Sequence, residues 1–270
     1  ADAVVAVSPT YAAEIRRPEH GYGLDGLLRE RGDALAGILN GIETDVWDPT
    51  ADAALERPFD AATLGAKKGT TDALRADLGL ARREVPLLVL VTRLTWQKGI
   101  DLLLPALPLL GGIPCQLALL GAGDSDLAHS LRSAADAAPD DIAFVEGYDD
   151  RLSHRLLGGG DILVMPSRYE ACGLSQMQAM RYGTIPVVTD VGGLHDTVTD
   201  ADRHPRTGTG FVAGAAEPLA VLDAIHRACR AWRVPNRRQA IQRRGMKRDW
   251  SWQQPAREYL RLYGALSEVS

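Results

Sequence analysis

From Pro86 onward the chain alternates short, unbroken apolar runs with segments of helical periodicity, and no other feature restricts its fold as much. The runs are "PLLVLVTR", "CQLALLG", "IAFVEG", "DILVMPS", "TIPVVTD" and "GFVAG"; between them lie "GIDLLLPALPLL", "DLAHSLRSAADAA", "DRLSHRLL" and "LSQMQAMRYG". A strand with one face in water alternates apolar and polar residues, so continuous runs belong to strands covered on both faces. Strands separated by helices return by right-handed crossovers. The fold class is therefore α/β: a doubly wound, Rossmann-like parallel sheet of about six strands.

Upstream, "DAVVAVS" reads as a strand and "PTYAAEIRR" as a helix, with Ser8 at the N-cap and Pro9 at the first helical position; "LAGILNGI" reads as a further strand. These elements are too few to bury a sheet by themselves. Residues 41–69 are rich in Pro and Asp and show little periodicity, as a crossing between domains does. The expected division is 1–58, the tail of a second domain with its linker; 59–250, the Rossmann-like domain; and 251–270, a closing helix. That last segment carries Trp252, Ala256, Tyr259, Leu260 and Tyr263 at helical spacing, the pattern of a core or docking face.

Composition excludes several classes. The net charge is -5 with basic residues dispersed, whereas nucleic-acid and anionic-membrane surfaces need clustered Lys and Arg. The run Arg237, Arg238, Arg243, Arg244, Lys247 and Arg248 is the exception and reads as a solvated helix face. No apolar run approaches the ~20 residues of a membrane span, and the opening segment lacks a basic leader. The three cysteines, Cys115, Cys172 and Cys229, are odd in number and far apart, so neither a disulfide framework nor a zinc site is indicated. A cytoplasmic location is expected.

In an open α/β sheet, ligands bind beyond the carboxyl ends of the strands. Four such exits carry candidate residues. After "LLVLV", Arg93 and Lys98 place two cations where a diphosphate could gain charge as it leaves, or are surface charges. After "LALL", the turn "GAGDSDL" resembles a dinucleotide loop but lacks the third glycine; Asp124 reads as a helix cap. After "IAFVE", Tyr148 could stack on a nucleobase or pack half-buried at the sheet edge. After "DILVMPS" comes "RYEACGLSQ". There Glu170 could do chemistry, hold a sugar or cap a helix, while Cys172, Gly173, Leu174 and Ser175 would offer backbone N–H groups at a helix start. Cys172 has no evident His partner and is not expected to act as a nucleophile.

In order along the chain, "VSPTYAAEI", "HGYGLDGLL", "GILNGIETDVWDP", "TRLTWQKGIDLL", "LGAGD", "GYDD", "MPSRYEACGLSQMQAMRYGTIPVV", "GGLHDTV" and "GTGF" resemble the bacterial glycogen synthases and plant starch synthases, retaining glucosyltransferases of the GT-B fold. The resemblance implies transfer of glucose from ADP-glucose to the non-reducing end of an α-1,4-glucan, without metal or cofactor. It also implies roles. Arg93 and Lys98 grip the diphosphate; Gly147 and Tyr148 form the adenine platform; Glu170, Cys172, Gly173 and Leu174 hold the donor glucose; Ser175 lies beside the phosphates; Asn40 stands near the sugar. Gln178 replaces the second Glu of the wider GT-B family, which favours the glycogen and starch synthase branch. Ala171, Tyr169 and His195 are lesser departures from the family pattern. The family's N-terminal domain, with its K-x-G-G-L loop, is the large absence, so the chain resembles a donor-binding half that needs that domain, the alternative being a nucleotide-sugar-binding domain inactive alone.

Overall fold

A computed structural model describes residues 1–110 and 112–269. The chain runs β1 (Val4–Ala6), α1 (Pro9–Glu14), α2 (Asp25–Glu30), β2 (Leu35–Gly37), α3 (Lys67–Asp77), β3 (Leu87–Leu94), α4 (Ile100–Leu103), α5 (Leu107–Leu110), β4 (Gln116–Gly123), α6 (Ser125–Ala137), β5 (Ile142–Glu146), α7 (Asp150–Gly159), β6 (Ile162–Met165), α8 (Ser175–Arg181), β7 (Ile185–Thr189), α9 (Gly192–Thr197), β8 (Phe211–Ala213), α10 (Pro218–Trp232), α11 (Pro235–Met246) and α12 (Gln253–Val269). Ser270, the end of the expected closing helix, lies outside the described residues.

Strands β3 to β8 form one parallel sheet in the order β5-β4-β3-β6-β7-β8. Successive side chains of β3 go to opposite faces: Leu88 and Leu90 join a core with α6 and α10, and Leu87 and Val89 join a second core with Leu74, Leu156 and Tyr182. This two-sided burial is what the unbroken apolar runs require. Because β4 and β5 extend one way from β3 while β7 and β8 extend the other way from β6, the order reverses between β3 and β6. A crevice opens at that switch point.

Two expectations need correcting. The segment 99–110 is not one helix: α4 gives way to a 3-10 turn at Leu104–Ala106 before α5, because Pro105 and Pro108 cannot donate to the preceding turn. The strand expected over "LAGILNGI" is only Leu35–Gly37, paired in parallel with the three residues of β1; among the described residues no further strand joins this pair.

The first segment docks on the large sheet's rim. Ser8 caps α1, its Oγ accepting from Tyr11 N at 3.2 Å, and donates to Ala171 O at 2.7 Å. Glu14 Oε1 accepts from Gly192 N at 2.9 Å, and Thr10 bonds Asp196. Residues 43–66 form no strand or long helix, yet Leu55, Phe59 and Leu64 are buried in the second core. Asp52 anchors this stretch by accepting from Tyr182 Oη at 2.5 Å and lying 2.7 Å from His154 Nδ1, while Trp47 stacks on the His154 ring at 3.9 Å.

Candidate functional site

At the β3–β6 switch point a cavity of about 220 Å³ is lined by Arg93 and Lys98 from the β3 exit, Pro166 and Ser167 from the β6 exit, and Ser175 from the start of α8. The two exits touch because residue 99 is glycine. Gly99 has φ +67°, and a Cβ there would stand 1.9 Å from Pro166 O, a separation no side chain tolerates. Lys98 Nζ consequently reaches Glu170 Oε2 at 2.5 Å across 72 residues of sequence. Ser167 Oγ also lies 3.3 Å from that oxygen. Glu170 is 8% exposed, so its charge is sheltered and held in a charge-assisted hydrogen bond.

Glu170 does not cap α8, whose N-cap is Leu174 with no side-chain cap bond. The helix itself starts at Ser175, so Cys172 and Gly173 belong to the loop before it rather than to its first turn. That loop is clasped from behind by the "GG" after β7. Gly192, at φ +42°, passes so close that a Cβ would meet Glu170 O at 1.8 Å, and Gly193 N donates to the same oxygen at 3.0 Å. Arg168 braces the other side, bidentate to Asp101 at 2.7 and 2.6 Å and 4.6 Å from the Trp96 ring centre.

Cys172 is buried, and burial chiefly pushes its thiol up, opposed by the Asn40 backbone nearby. Asn40 thus lies beside the Glu170 loop. Asn40 also lines a separate cavity of about 140 Å³ with Trp250, Ser251 and Gln254 at the entry to α12.

The remaining candidates lie apart from the cavity. Gly147 and Tyr148 follow β5, two strands from β3. Tyr148 is 86% exposed, so its half-buried alternative fails. Asp124 is a cap, as expected, accepting from Asp126 N at 2.9 Å and Leu127 N at 3.0 Å. Leu174 is exposed beside the α8 start. His195 pairs with Asp190 at 2.6 Å, which raises its pKa.

Sequence reasoning missed Ser167, Arg168 with Asp101, and the clasp by Gly192 and Gly193. Only the paired glycines just after a strand carried a readable signal, since such positions admit close backbone approach.

Comparison with known proteins places these features in context. The Glycosyl transferases group 1 family matches residues 74–248, and the Starch synthase catalytic domain matches residues 1–30. The chain is 47% identical over 263 residues to a glycogen synthase of Halorhodospira halophila, covering 97% of this chain and 55% of that protein. It is 49% identical over 276 residues to one from Aromatoleum aromaticum, covering 98% and 55%. The solved catalytic domain of Starch Synthase IV from Arabidopsis thaliana, bound to ADP and acarbose, superposes with a TM-score of 0.92 at 34% identity, covering 98% of this chain and 56% of that one. The chain thus spans about half the length of the curated relatives it matches.

Proposed function

The chain belongs to the group 1 glycosyl transferases, and on that premise we propose that it is the donor-binding half of a glycogen synthase of GT-B architecture. It transfers glucose from ADP-glucose to the non-reducing end of an α-1,4-glucan with retention. The observation that carries this reading is the Lys98–Glu170 pair at the switch-point cavity, in a chain similar along nearly its whole length to glycogen synthases.

Each residue has a part. Arg93 and Lys98 receive the diphosphate, and as the anomeric C–O bond breaks they neutralise the charge that grows on the leaving phosphate. Ser175 hydrogen-bonds beside the phosphates, and Tyr148, after Gly147, stacks on the adenine. Glu170 holds donor glucose hydroxyls, with the loop of Cys172, Gly173 and Leu174 shaping the pocket and Asn40 facing the sugar. Glu170 is already bonded to Lys98 and Ser167, which supports a positioning carboxylate rather than a nucleophile. Same-face attack by the glucan hydroxyl on the donor then accounts for retention.

The boundaries 1–58, 59–250 and 251–270 belong to the same proposal: the first segment and the last helix pair with an acceptor-side domain. The coverage of about half of each relative supports this. So do the exposed Trp252, Leu260 and Tyr263 along the closing segment. No described helix is long and apolar enough to cross a membrane, and the proposed place of action is the cytoplasm.

Calorimetry with ADP and ADP-glucose tests donor binding, and radiolabelled glucose transfer to glycogen tests the reaction. Binding by this chain, with transfer once the acceptor-side domain is joined, is the expected result. Failure to bind either nucleotide contradicts the reading, and binding without transfer even in the joined protein reduces it to a nucleotide-sugar-binding module.

A further inference from the structure

The backbone on either side of Lys98 is bonded to the loop that carries Glu170, and one residue of that loop makes most of the bonds. Arg168, two residues before Glu170, donates through Nη1 to Trp96 O and to Asp101 Oδ1, both at 2.7 Å, and through Nη2 to Asp101 Oδ2 at 2.6 Å. Its backbone N–H donates to Gln97 O at 2.9 Å, and Gln97 Nε2 donates in return to Tyr169 O at 3.3 Å. Trp96 and Gln97 stand just before Lys98 in the 3-10 turn Trp96–Lys98, and Asp101 follows it in α4. Lys98 is therefore flanked, before and after, by residues tied to positions 168 and 169.

We propose that Arg168 is a positioning residue for glucosyl transfer: clamped to Asp101 and Trp96, it aims the Lys98 ammonium at the leaving phosphate and acts on the reaction only through Lys98. This rests on the part given above to Lys98. Such a frame is needed because a lysine is a point charge on a flexible four-carbon stem. The next residue, Gly99 at φ +67°, adds no stiffness of its own. Misplacing a group by about 1 Å can cost ~100-fold in rate.

The character of the clamp separates this role from a stabilising salt bridge. The Arg168 and Asp101 side chains are 18% and 37% exposed, and ion pairs open to water add little to stability. What a bidentate fork supplies is direction, since two parallel hydrogen bonds fix the guanidinium plane where an ammonium would turn freely. The bonds from Arg168 hold the Asp101 carboxyl below its usual range, so it stays ionised at neutral pH. The guanidinium also lies 4.6 Å from the Trp96 ring centre, although that ring is 63% exposed and has no core around it.

The test is a double-mutant cycle on kcat for glucose transfer to glycogen, in the protein joined to its acceptor-side domain, with wild type, Arg168→Lys, Lys98→Ala and the two combined. Arg168→Lys keeps the charge and loses the fork. It should lower kcat by about 10- to 100-fold. The KM for ADP-glucose should change by less than about threefold, because the Lys98 ammonium stays near the phosphates and only its aim is lost. On the Lys98→Ala background the same substitution should lower kcat by less than about threefold more, since the group it aims is gone. Asp101→Asn breaks the clamp from the other side and should show the same dependence on Lys98, which decides the matter if Arg168→Lys does not fold. Near-normal kcat in Arg168→Lys, an equal loss on both backgrounds, or a loss confined to KM would overturn the inference while leaving the role of Lys98 in place. Unaltered turnover in Lys98→Ala would overturn that role and the inference with it.

Discussion

The β3–β6 exit and the β5 exit share one edge of the sheet and are built in opposite ways. At the first, Lys98 and Glu170 are locked together at 2.5 Å, with Gly99 and Gly192 allowing backbones to approach where any side chain would collide. At the second, Tyr148 is 86% exposed and its hydroxyl donates to Asp150 Oδ1 at 3.5 Å. The contrast follows from what each exit is proposed to do. Groups that meet charge as it develops act through being fixed beforehand, whereas a ring that stacks on a base needs an open face and little else.

The sharpest way to break the comparison is Lys98→Ala in the complete protein. Losing a preorganised donor of this kind costs about 3 to 4 kcal/mol, so turnover should fall by about 100- to 1,000-fold with the fold intact by circular dichroism. Near-normal turnover would place the catalytic burden elsewhere. Next is Gly192→Ala, whose Cβ would stand 1.8 Å from Glu170 O at a positive φ. Displacing the loop should cost about 1 to 3 kcal/mol of stability, read as a lower urea midpoint together with reduced turnover; an unchanged midpoint would show that the clasp is not tight.

Tyr148→Ala should weaken ADP binding by about 1 to 2 kcal/mol, roughly tenfold, leaving kcat nearly unchanged and raising KM. A loss concentrated in kcat would erase the distinction between the two exits. The smallest effect concerns His195, raised by its bond to Asp190. A raised folded value means that the pair's contribution to stability is fully present below the unfolded-state pKa of about 6.5 and is lost as pH rises through the folded value. The urea-midpoint gap between wild type and His195→Ala should therefore be larger near pH 5.5 than near pH 9, both values chosen roughly to bracket that window. A gap independent of pH would remove the pair from the account.

The two exits also differ in how far the sequence exposed them. Strand exits follow unbroken apolar runs, so Arg93, Lys98, Tyr148 and Glu170 could all be located, and the exposure of Tyr148 excludes its half-buried reading. The contact between Lys98 and Glu170 depends on Gly99 passing Pro166, a long-range approach with no local signature. Several helices were hidden for a related reason. Buried positions of α3 include Lys67, Thr70, Thr71 and Arg75, and those of α11 include Gln242 and Gly245, so neither displays a plain apolar period. Lys67 illustrates the cause: burial lowers its pKa to about 7, and its Nζ is satisfied by Gly158 O at 2.5 Å and Thr184 Oγ1 at 2.9 Å, partners far away in sequence.

Titration of ADP-glucose into this chain and its Lys98→Ala variant, followed by calorimetry, addresses the central claim most directly. The account predicts one site per chain, with affinity reduced on the order of tenfold or more in the variant, as loss of a charge-assisted contact to phosphate entails. Equal affinity in the two proteins, or no binding to the wild-type chain, would contradict it.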